Sequence, residues 1–442
     1  MSTLSYDALV AELFPRLTGG IRWGLERTLR MLAGVGNPQL RYPALHVGGT
    51  NGKGSVAATL ASVLHAAGRR VGLYTSPHLC TFRERVQVAG AAIEEQALLA
   101  AAERLWPAIR QERPSFFEAT TAIALLALAE AQVDAAVIEV GLGGRLDATN
   151  VIIPAVCVLT NVSLDHVQYL GSTVEAVARE KAGIIKAGVP VATGEWTGVA
   201  HDVFRWRAAE VRAPLVALGP HDYTIESMTL DGTVLRVARP AGALRLTTPL
   251  LGAHQAGNVA LAVRALAELP AGLRPDDAAI VQGVAAVRWP GRLQRERIAG
   301  VPWLLDVAHN VAGVEALVAA LGALPVPRPL TAVVGVLGDK DWAGMIGRLS
   351  AVAERILLTE PPTAPAERRW DPTRVAREIA SPRGRAIPDF SAALRQAQRA
   401  AAADGGSVLV TGSFHTVGDA LIMLGRCPFG SDLTLPPVDF AV

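Results

Sequence analysis

The sequence predicts an α/β protein of two domains, a larger N-terminal one on a mostly parallel sheet and a smaller C-terminal one of the same class. Three observations carry this. Short apolar runs rich in Val, Ile and Ala alternate with Ala/Leu-rich helical stretches, the pattern of strands covered on both faces. A glycine-rich turn, residues 49–55, follows the first such run and precedes the first long helix. The pattern then breaks at Trp289–Arg297, which contains Pro290 and Gly291, and resumes near Val301. These place the domains at residues 1–294 and 295–442.

In order, Asp7 and Glu12 lie in a first helical stretch. Ala44–Val47 reads as a strand, Ser55–Ala67 as a helix and Arg70–Tyr74 as a strand. Thr120–Glu130 is a helix, and Ala135–Val140 and Ala155–Thr160 are buried strands. Thr173–Lys186 is a helix, opened by the Ser172/Glu175 capping-box spacing and closed by Gly188 and Pro190. In the second block, Trp303–Val307, Leu330–Val336, Arg355–Thr359 and Ser407–Thr411 read as strands and Gly313–Leu321 as a helix. Pro361–Arg385 reads as surface loop and helix.

Composition narrows the function. Half of the 442 residues are hydrophobic and 19% charged, so a large core is available and global disorder is excluded. A formal net charge of +2 gives no support to a nucleic-acid partner. The apolar run Ala122–Ala129 stops at Glu130, short of a membrane span, and no signal peptide is read at the N-terminus. Cys80, Cys157 and Cys427 are odd in number and far apart, which predicts no disulfide framework or metal cluster and fits a reducing cytoplasm.

Gly49-Thr50-Asn51-Gly52-Lys53-Gly54-Ser55 is the strongest chemical signal. Glycines let a backbone aim its N–H groups at phosphate oxygens, the helix N-terminus adds partial positive charge, and Lys53 can reach the β and γ phosphates. The match to G-x-x-x-x-G-K-[ST] is loose: position 47 is Val, and Gly54 separates Lys53 from Ser55. The bland alternative is a glycine turn with a solvated lysine. With strand, loop and helix in order, the first domain is read as phosphate-loop ATPase-like and the second as Rossmann-like. Glu139, at the end of its buried strand and before Gly141-Leu142-Gly143-Gly144, lies where open α/β sheets bind ligands, and its carboxylate suits Mg²⁺. Alone, it could equally be a strand-end ion pair. Spacing alone leaves His166 a structural histidine and Glu180-Lys181 a solvated helix pair.

These blocks, with Tyr74-Thr75-Ser76-Pro77-His78, Leu164-Asp165-His166, Glu180-Lys181-Ala182-Gly183, Pro290-Gly291-Arg292, Asp306-Val307-Ala308-His309-Asn310, Asp339-Lys340-Asp341 and Gly412-Ser413-Phe414-His415, run along nearly the whole chain. Together they resemble the folylpolyglutamate synthase and dihydrofolate synthase family, within the Mur ligase superfamily of ATP-dependent amide-forming ligases.

The resemblance implies ATP as co-substrate, held by Thr50, Asn51, Gly52, Lys53, Gly54 and Ser55 with Asn258, Arg292 and Asp306. It implies two Mg²⁺ ions at Ser76, Glu139 and His166, and a carbamylated Lys181. Lys53, Lys181 and His309 form the implied catalytic set. Arg22, Trp23, Gly24, Leu25, Ser115, Phe116, Phe117, Glu118, Leu146, Asp147 and Ala148 would hold the pterin substrate. The implied reaction joins L-glutamate to dihydropteroate or to folyl-glutamates through an acyl phosphate, in a cytoplasmic monomer. The bifunctional bacterial members look closest, with a monofunctional folylpolyglutamate synthase as the alternative. A cell-wall Mur ligase would carry a nucleotide-sugar domain ahead of the loop, and 48 residues precede Gly49. An idle nucleotide-binding relative would be expected to lack some of these groups. The chain departs from the pattern at Gly48, where the family often has Ala and a slightly looser loop is expected, at Val311 for a frequent Pro, and at Arg22 and Trp23.

Overall fold

The computed structural model describes residues 5–13, 23–239, 242–379 and 383–440. Arg22 lies outside them. The first sheet has eight strands in the order β4-β3-β2-β5-β1-β6-β7-β8. They are β1 (Ala44–Gly48), β2 (Val71–Tyr74), β3 (Val86–Val88), β4 (Ala91–Ala92), β5 (Ala135–Glu139), β6 (Pro154–Leu159), β7 (Val191–Thr193) and β8 (Leu215–Ala217). All neighbours are parallel except β2–β3 and β3–β4. β1 and β5 are buried along their full length, because helices cover both faces. β1 is central: the chain leaves it toward β2 on one side, and β6 lies on the other. The loop after β1 therefore opens into the crevice where such sheets take ligands.

On one face the helices Lys53–Ala66, Ala253–Ala267 and Asp277–Ala286 share a core with Leu45, Val47 and Val137. A three-stranded antiparallel sheet, β9 (Tyr223–Thr229), β10 (Gly232–Val237) and β11 (Leu244–Thr248), closes the end of that core through Leu235, Val237 and Leu246. The other face packs against Tyr6–Leu13, Glu26–Ala33, Glu95–Glu112 and Phe116–Glu130.

The second sheet of this class has six strands, ordered β12-β13-β17-β14-β15-β16. They are β12 (Gln294–Ile298), β13 (Val301–Asp306), β14 (Leu330–Val334), β15 (Arg355–Leu358), β16 (Gly384–Ala386) and β17 (Ser407–Thr411). Only β12 is antiparallel to its neighbour.

Several expected bounds move for local reasons. The helix expected over Thr173–Lys186 runs Val174–Ala182. Its cap is Thr173, whose hydroxyl accepts from Ala176 N at 3.1 Å, rather than Ser172. It stops early because Arg145 N takes the Glu180 carbonyl (2.8 Å). The helix expected from Thr120 begins at Phe116, where Ser115 and Glu118 form a reciprocal capping box. Pro361–Arg385 holds the helix Pro372–Ile379 and also supplies edge strand β16. Val311 takes the first helical position after the cap Asn310, the position where Pro is favoured. Gly48 does not loosen the loop. It ends the buried strand β1, and a Cβ there would stand 3.0 Å from Ile184 Cδ1.

The two sheets are joined by Gly291–Leu293 and, far along the chain, by a returning tail. Asp432 accepts from Phe82 N and Thr81 Oγ1, both at 2.6 Å, and from Tyr6 OH at 2.9 Å. Cys80 and Cys427, distant in sequence, pack in one cluster of the second domain's core, and all three cysteines are free thiols.

Candidate active site

The loop after β1 is stretched over the end of β6 by six hydrogen bonds. Thr50 N donates to Asn161 O (2.8 Å), Asn51 N to Asn161 Oδ1 (3.0 Å) and Ser163 N to Thr50 Oγ1 (3.1 Å). Thr50 Oγ1 donates to Ser163 O (3.2 Å), Asn51 Nδ2 to Ser163 Oγ (3.5 Å) and Thr160 Oγ1 to Asn51 O (2.6 Å). Gly52 caps the following helix at φ 84°, and a Cβ on it would stand 2.5 Å from Asn258 Oδ1, so backbone and space both require glycine. Gly54, the residue that broke the expected motif, lies under an indole: a Cβ there would stand 2.5 Å from Trp289 Cζ2. Lys53 Nζ donates back to Thr50 O at 3.1 Å, and the helix beyond presents its first free N–H groups.

This loop floors a cleft of about 660 Å³ between the two large sheets. Every described residue expected at the nucleotide, the metal or the catalytic step lines it: residues 50–55, Ser76, Glu139, His166, Lys181, Asn258, Arg292, Asp306 and His309. Glu139 is 4% exposed and accepts from Ser76 N at 3.1 Å. Burial pushes its carboxyl up, opposed by the charges of Lys53, Arg292 and Arg85 and by that N–H. A buried carboxylate held against its own desolvation is disposed to take a cation. Ser55 Oγ is buried in the loop with no hydrogen-bond partner. These oxygens are the hard donors Mg²⁺ prefers, and an unmet hydroxyl beside the phosphate loop fits such an ion. Desolvation holds His166 down at about 4, leaving a neutral ring with a free lone pair.

Lys181 is 4% exposed and donates to Gly49 O at 2.8 Å. Desolvation, then the charge of Lys53, lowers it to about 7, so an appreciable neutral fraction exists at neutral pH. This is a reactive amine inside the cleft, a reversal of the solvated-pair reading that spacing suggested. Glu180 pairs with Arg145 (2.8 Å) instead. On the second domain's wall, His309 Nδ1 lies 2.9 Å from Val307 O. A carbonyl only accepts, so Nδ1 carries the hydrogen and Nε2 is left with a lone pair. Burial lowers His309 to about 4. Asp306 accepts from Leu293 N and Ala308 N, both at 2.9 Å, and Arg292 sits 5.3 Å over the Phe414 ring.

The described residues expected at the pterin do not line this cleft, and several have structural occupations. Ser115 and Glu118 cap a helix, and Glu118 pairs with Arg27 at 2.8 Å. Phe116 is core, under the Arg85 guanidinium at 5.2 Å. Asp147 holds Leu142 N (2.8 Å) and both Thr149 N (3.0 Å) and Thr149 Oγ1 (2.5 Å). Ala148 starts the short 3₁₀ helix that Asp147 caps, and Leu146 is half-buried before it. Phe117 abuts Gly141, which does line the cleft, while Trp23 meets Tyr169 edge-on at 6.5 Å. Gly24 and Leu25 precede the helix Glu26–Ala33.

Sequence reasoning missed the cleft's apolar end, where Trp196, Leu218, Pro220, Tyr223 and Leu261 offer a face suited to a heteroaromatic base. Trp196, Leu218 and Pro220 follow β7 and β8, Tyr223 opens the antiparallel insert and Leu261 comes from the helix Ala253–Ala267; only the alternation in Tyr223–Thr229 with Asp231-Gly232 hinted at the insert.

Residues 47–266 match the Mur ligase middle domain, and residues 291–414 the Mur ligase glutamate ligase domain. The folylpolyglutamate synthase of Lacticaseibacillus casei is 39% identical over 387 residues, covering 82% of this chain and 87% of that one. The solved folylpolyglutamate synthase of Mycobacterium tuberculosis, complexed with ADP and AMPPCP, is 33% identical at a TM-score of 0.86, covering 96% of this chain and 100% of the other. Escherichia coli FolC, solved with DHPP and ADP, is 34% identical at a TM-score of 0.83, over 95% and 98% of the two chains. The chain belongs to the folylpolyglutamate synthase/dihydrofolate synthase family of Mur ligases.

Proposed function

We propose that this ATP-dependent ligase adds L-glutamate to dihydropteroate, forming dihydrofolate, and to folyl-glutamates. The observation that carries the reading is the convergence on one cleft of phosphate loop, buried Glu139, activated Lys181 and His309. In it, the pterin carboxylate attacks the γ-phosphorus of ATP, ADP departs, and the glutamate amine displaces phosphate from the acyl phosphate. Phosphoryl transfer needs charge neutralisation and alignment more than covalent help. Lys53 leaves the Thr50 carbonyl for the transferring phosphate. Mg²⁺ held by Glu139, Ser76, Ser55 and His166 would supply further charge neutralisation. Arg292, on the segment joining the sheets, faces Glu139 and Asp306 and so brings charge only when the two domains are together. His309 Nε2 can take the proton that the attacking amine must lose. Lys181, carbamylated by CO₂, would become an anion and exchange its bond to Gly49 O for a cation partner.

The domains divide the work: residues 1–294 hold ATP and the pterin acid, and residues 295–442 present glutamate. We read the protein as a cytoplasmic monomer, since one chain supplies both cleft walls. Among the described residues no helix is long and apolar enough to cross a membrane. The test is product mass spectrometry with ATP, Mg²⁺, glutamate and either dihydropteroate or tetrahydrofolate. Lys53→Ala and Glu139→Ala should each cut glutamate-dependent ADP release by roughly 10²-fold or more while remaining folded. Turnover like the wild type in either variant overturns the assignment.

A further inference from the structure

Three side chains outside the roles above, Asp165, Asn310 and Lys340, join the two domains at the rim of the cleft together with Asn51 of the phosphate loop. Lys340 Nζ, from the second domain, donates to Asp165 Oδ1 at 2.8 Å, and the two side chains are only 11% and 12% exposed. Asn310 Nδ2, also from the second domain, donates to Asp165 Oδ2 at 2.9 Å and to Asn51 Oδ1 at 3.1 Å. The oxygen of the same Asn310 amide accepts from Gly313 N at 2.7 Å and caps the helix Val311–Ala323. That fixes which end of the amide faces the first domain. Asp165 Oδ1 also accepts His166 N at 2.8 Å, where His166 stands in left-handed backbone at φ 51°.

One carboxylate thus receives a cation and an amide from one domain. On the other domain it fixes the backbone of the histidine that faces the cleft. The second amide contact falls on Asn51, whose own N–H and carbonyl are pinned by Asn161 and Thr160. Burying Asp165 alone would be costly. Lys340 and Asn310, with the N–H of His166, give its two oxygens their partners. The pair is thus matched only while the domains are together.

We propose that Lys340 and Asn310 are positioning residues: their grip on Asp165 and Asn51 latches the second domain onto the first and sets His166 and the phosphate loop in register. Latching then completes the reactive geometry without either residue touching the reacting atoms. A misplacement of about 1 Å at such a site can cost roughly 10²-fold in rate.

The activity arm of the test rests on the ligase reading, and a scattering arm does not. Lys340→Met, Lys340→Arg, Asp165→Asn and Asn310→Asp would be compared, the last keeping the helix cap while losing the donor. Steady-state kinetics should show kcat lower by roughly 10²-fold in Lys340→Met and Asp165→Asn. KM for ATP and glutamate should stay near wild type, with kcat partly restored in Lys340→Arg. The double variant Lys340→Met/Asp165→Asn should be no worse than the weaker single one within about twofold, the signature of one shared interaction. In small-angle scattering with ADP and Mg²⁺, Lys340→Met and Asn310→Asp should give a larger radius of gyration than wild type. Losses that multiply in the double variant, a change confined to glutamate KM, or unchanged scattering would each overturn the latch. Wild-type ADP release that ignores glutamate would sink the ligase reading and leave the scattering result to decide the latch.

Discussion

Lys181 shows how little a side chain's sequence neighbours say about its chemistry. Next to Glu180 on a helix it reads as half of a solvated pair. In the fold the helix turns Glu180 outward to Arg145 and Lys181 inward, where loss of water and the nearby Lys53 bring its amine to about 7. A neutral buried amine reacts with CO₂, and a protonated one does not. Protein depleted of CO₂ and bicarbonate should therefore lose most of its turnover and recover it when bicarbonate is returned, while Lys181→Ala should be inactive in both conditions. Activity indifferent to bicarbonate would remove the carbamate from the mechanism. At this scale the phosphate loop was legible because its chemistry is local in sequence: glycine, lysine and serine on one turn. The Asn258 and Trp289 contacts that make Gly52 and Gly54 obligatory were not, since they come from a helix and from the segment before β12, more than two hundred residues away.

Among the elements, the parallel strands were readable because burial on both faces leaves nearly unbroken apolar runs, and Ser407–Thr411 falls where its sequence puts it. The antiparallel insert was not. β9 is half-exposed and mostly polar, so it carries little hydrophobic signal. Capping boxes gave a mixed lesson. Ser172/Glu175 has the spacing without the geometry, whereas Ser115/Glu118 has both, although the resemblance had given those two residues to the substrate. A closer constraint sits where the phosphate-loop helix Lys53–Ala66 crosses Asp277–Ala286. A Cβ on Gly283 would lie 2.7 Å from Val63 N and 2.9 Å from Ser62 O, backbone atoms that cannot swing aside. Gly283→Ala gains about 1 kcal/mol of helix propensity, yet overpacking costs about 1–3 kcal/mol and also prises apart the helix that presents the loop. The expected result is a lower denaturation midpoint together with weaker ADP affinity by calorimetry. A variant as stable as wild type would show that the crossing relaxes freely.

The molecule as a whole should be sensitive to mild acid, and His46 shows why. It lies in central β1, fully buried, with Nε2 2.8 Å from Thr149 Oγ1. Thr149 spends its own hydrogen on Asp147 Oδ1, so its oxygen accepts from His46 Nε2–H. Nδ1 then has no partner, and a second proton would be stranded there. Desolvation, with the charge of Lys186, lowers His46 to about 3, against about 6.5 in an unfolded chain. Its folded value is depressed, so the unfolded chain takes up the proton first. The stability His46 contributes is complete above about pH 6.5 and is lost as pH falls through the window down to about 3, with a limiting slope of about 1.4 kcal/mol per pH unit. His254, lowered to about 4 by burial, acts in the same direction, whereas burial raises Asp419 to about 6 and opposes it over part of that range. The informative quantity is therefore a difference. Urea midpoints measured from pH 7 to pH 5 should fall less steeply in His46→Gln than in wild type, by up to one proton's worth of slope, even though the variant starts less stable at pH 7. Parallel curves would mean that the strand under the phosphate loop accommodates a charged imidazole, and the neutral pairing of β1 with the Asp147 turn would have to be abandoned.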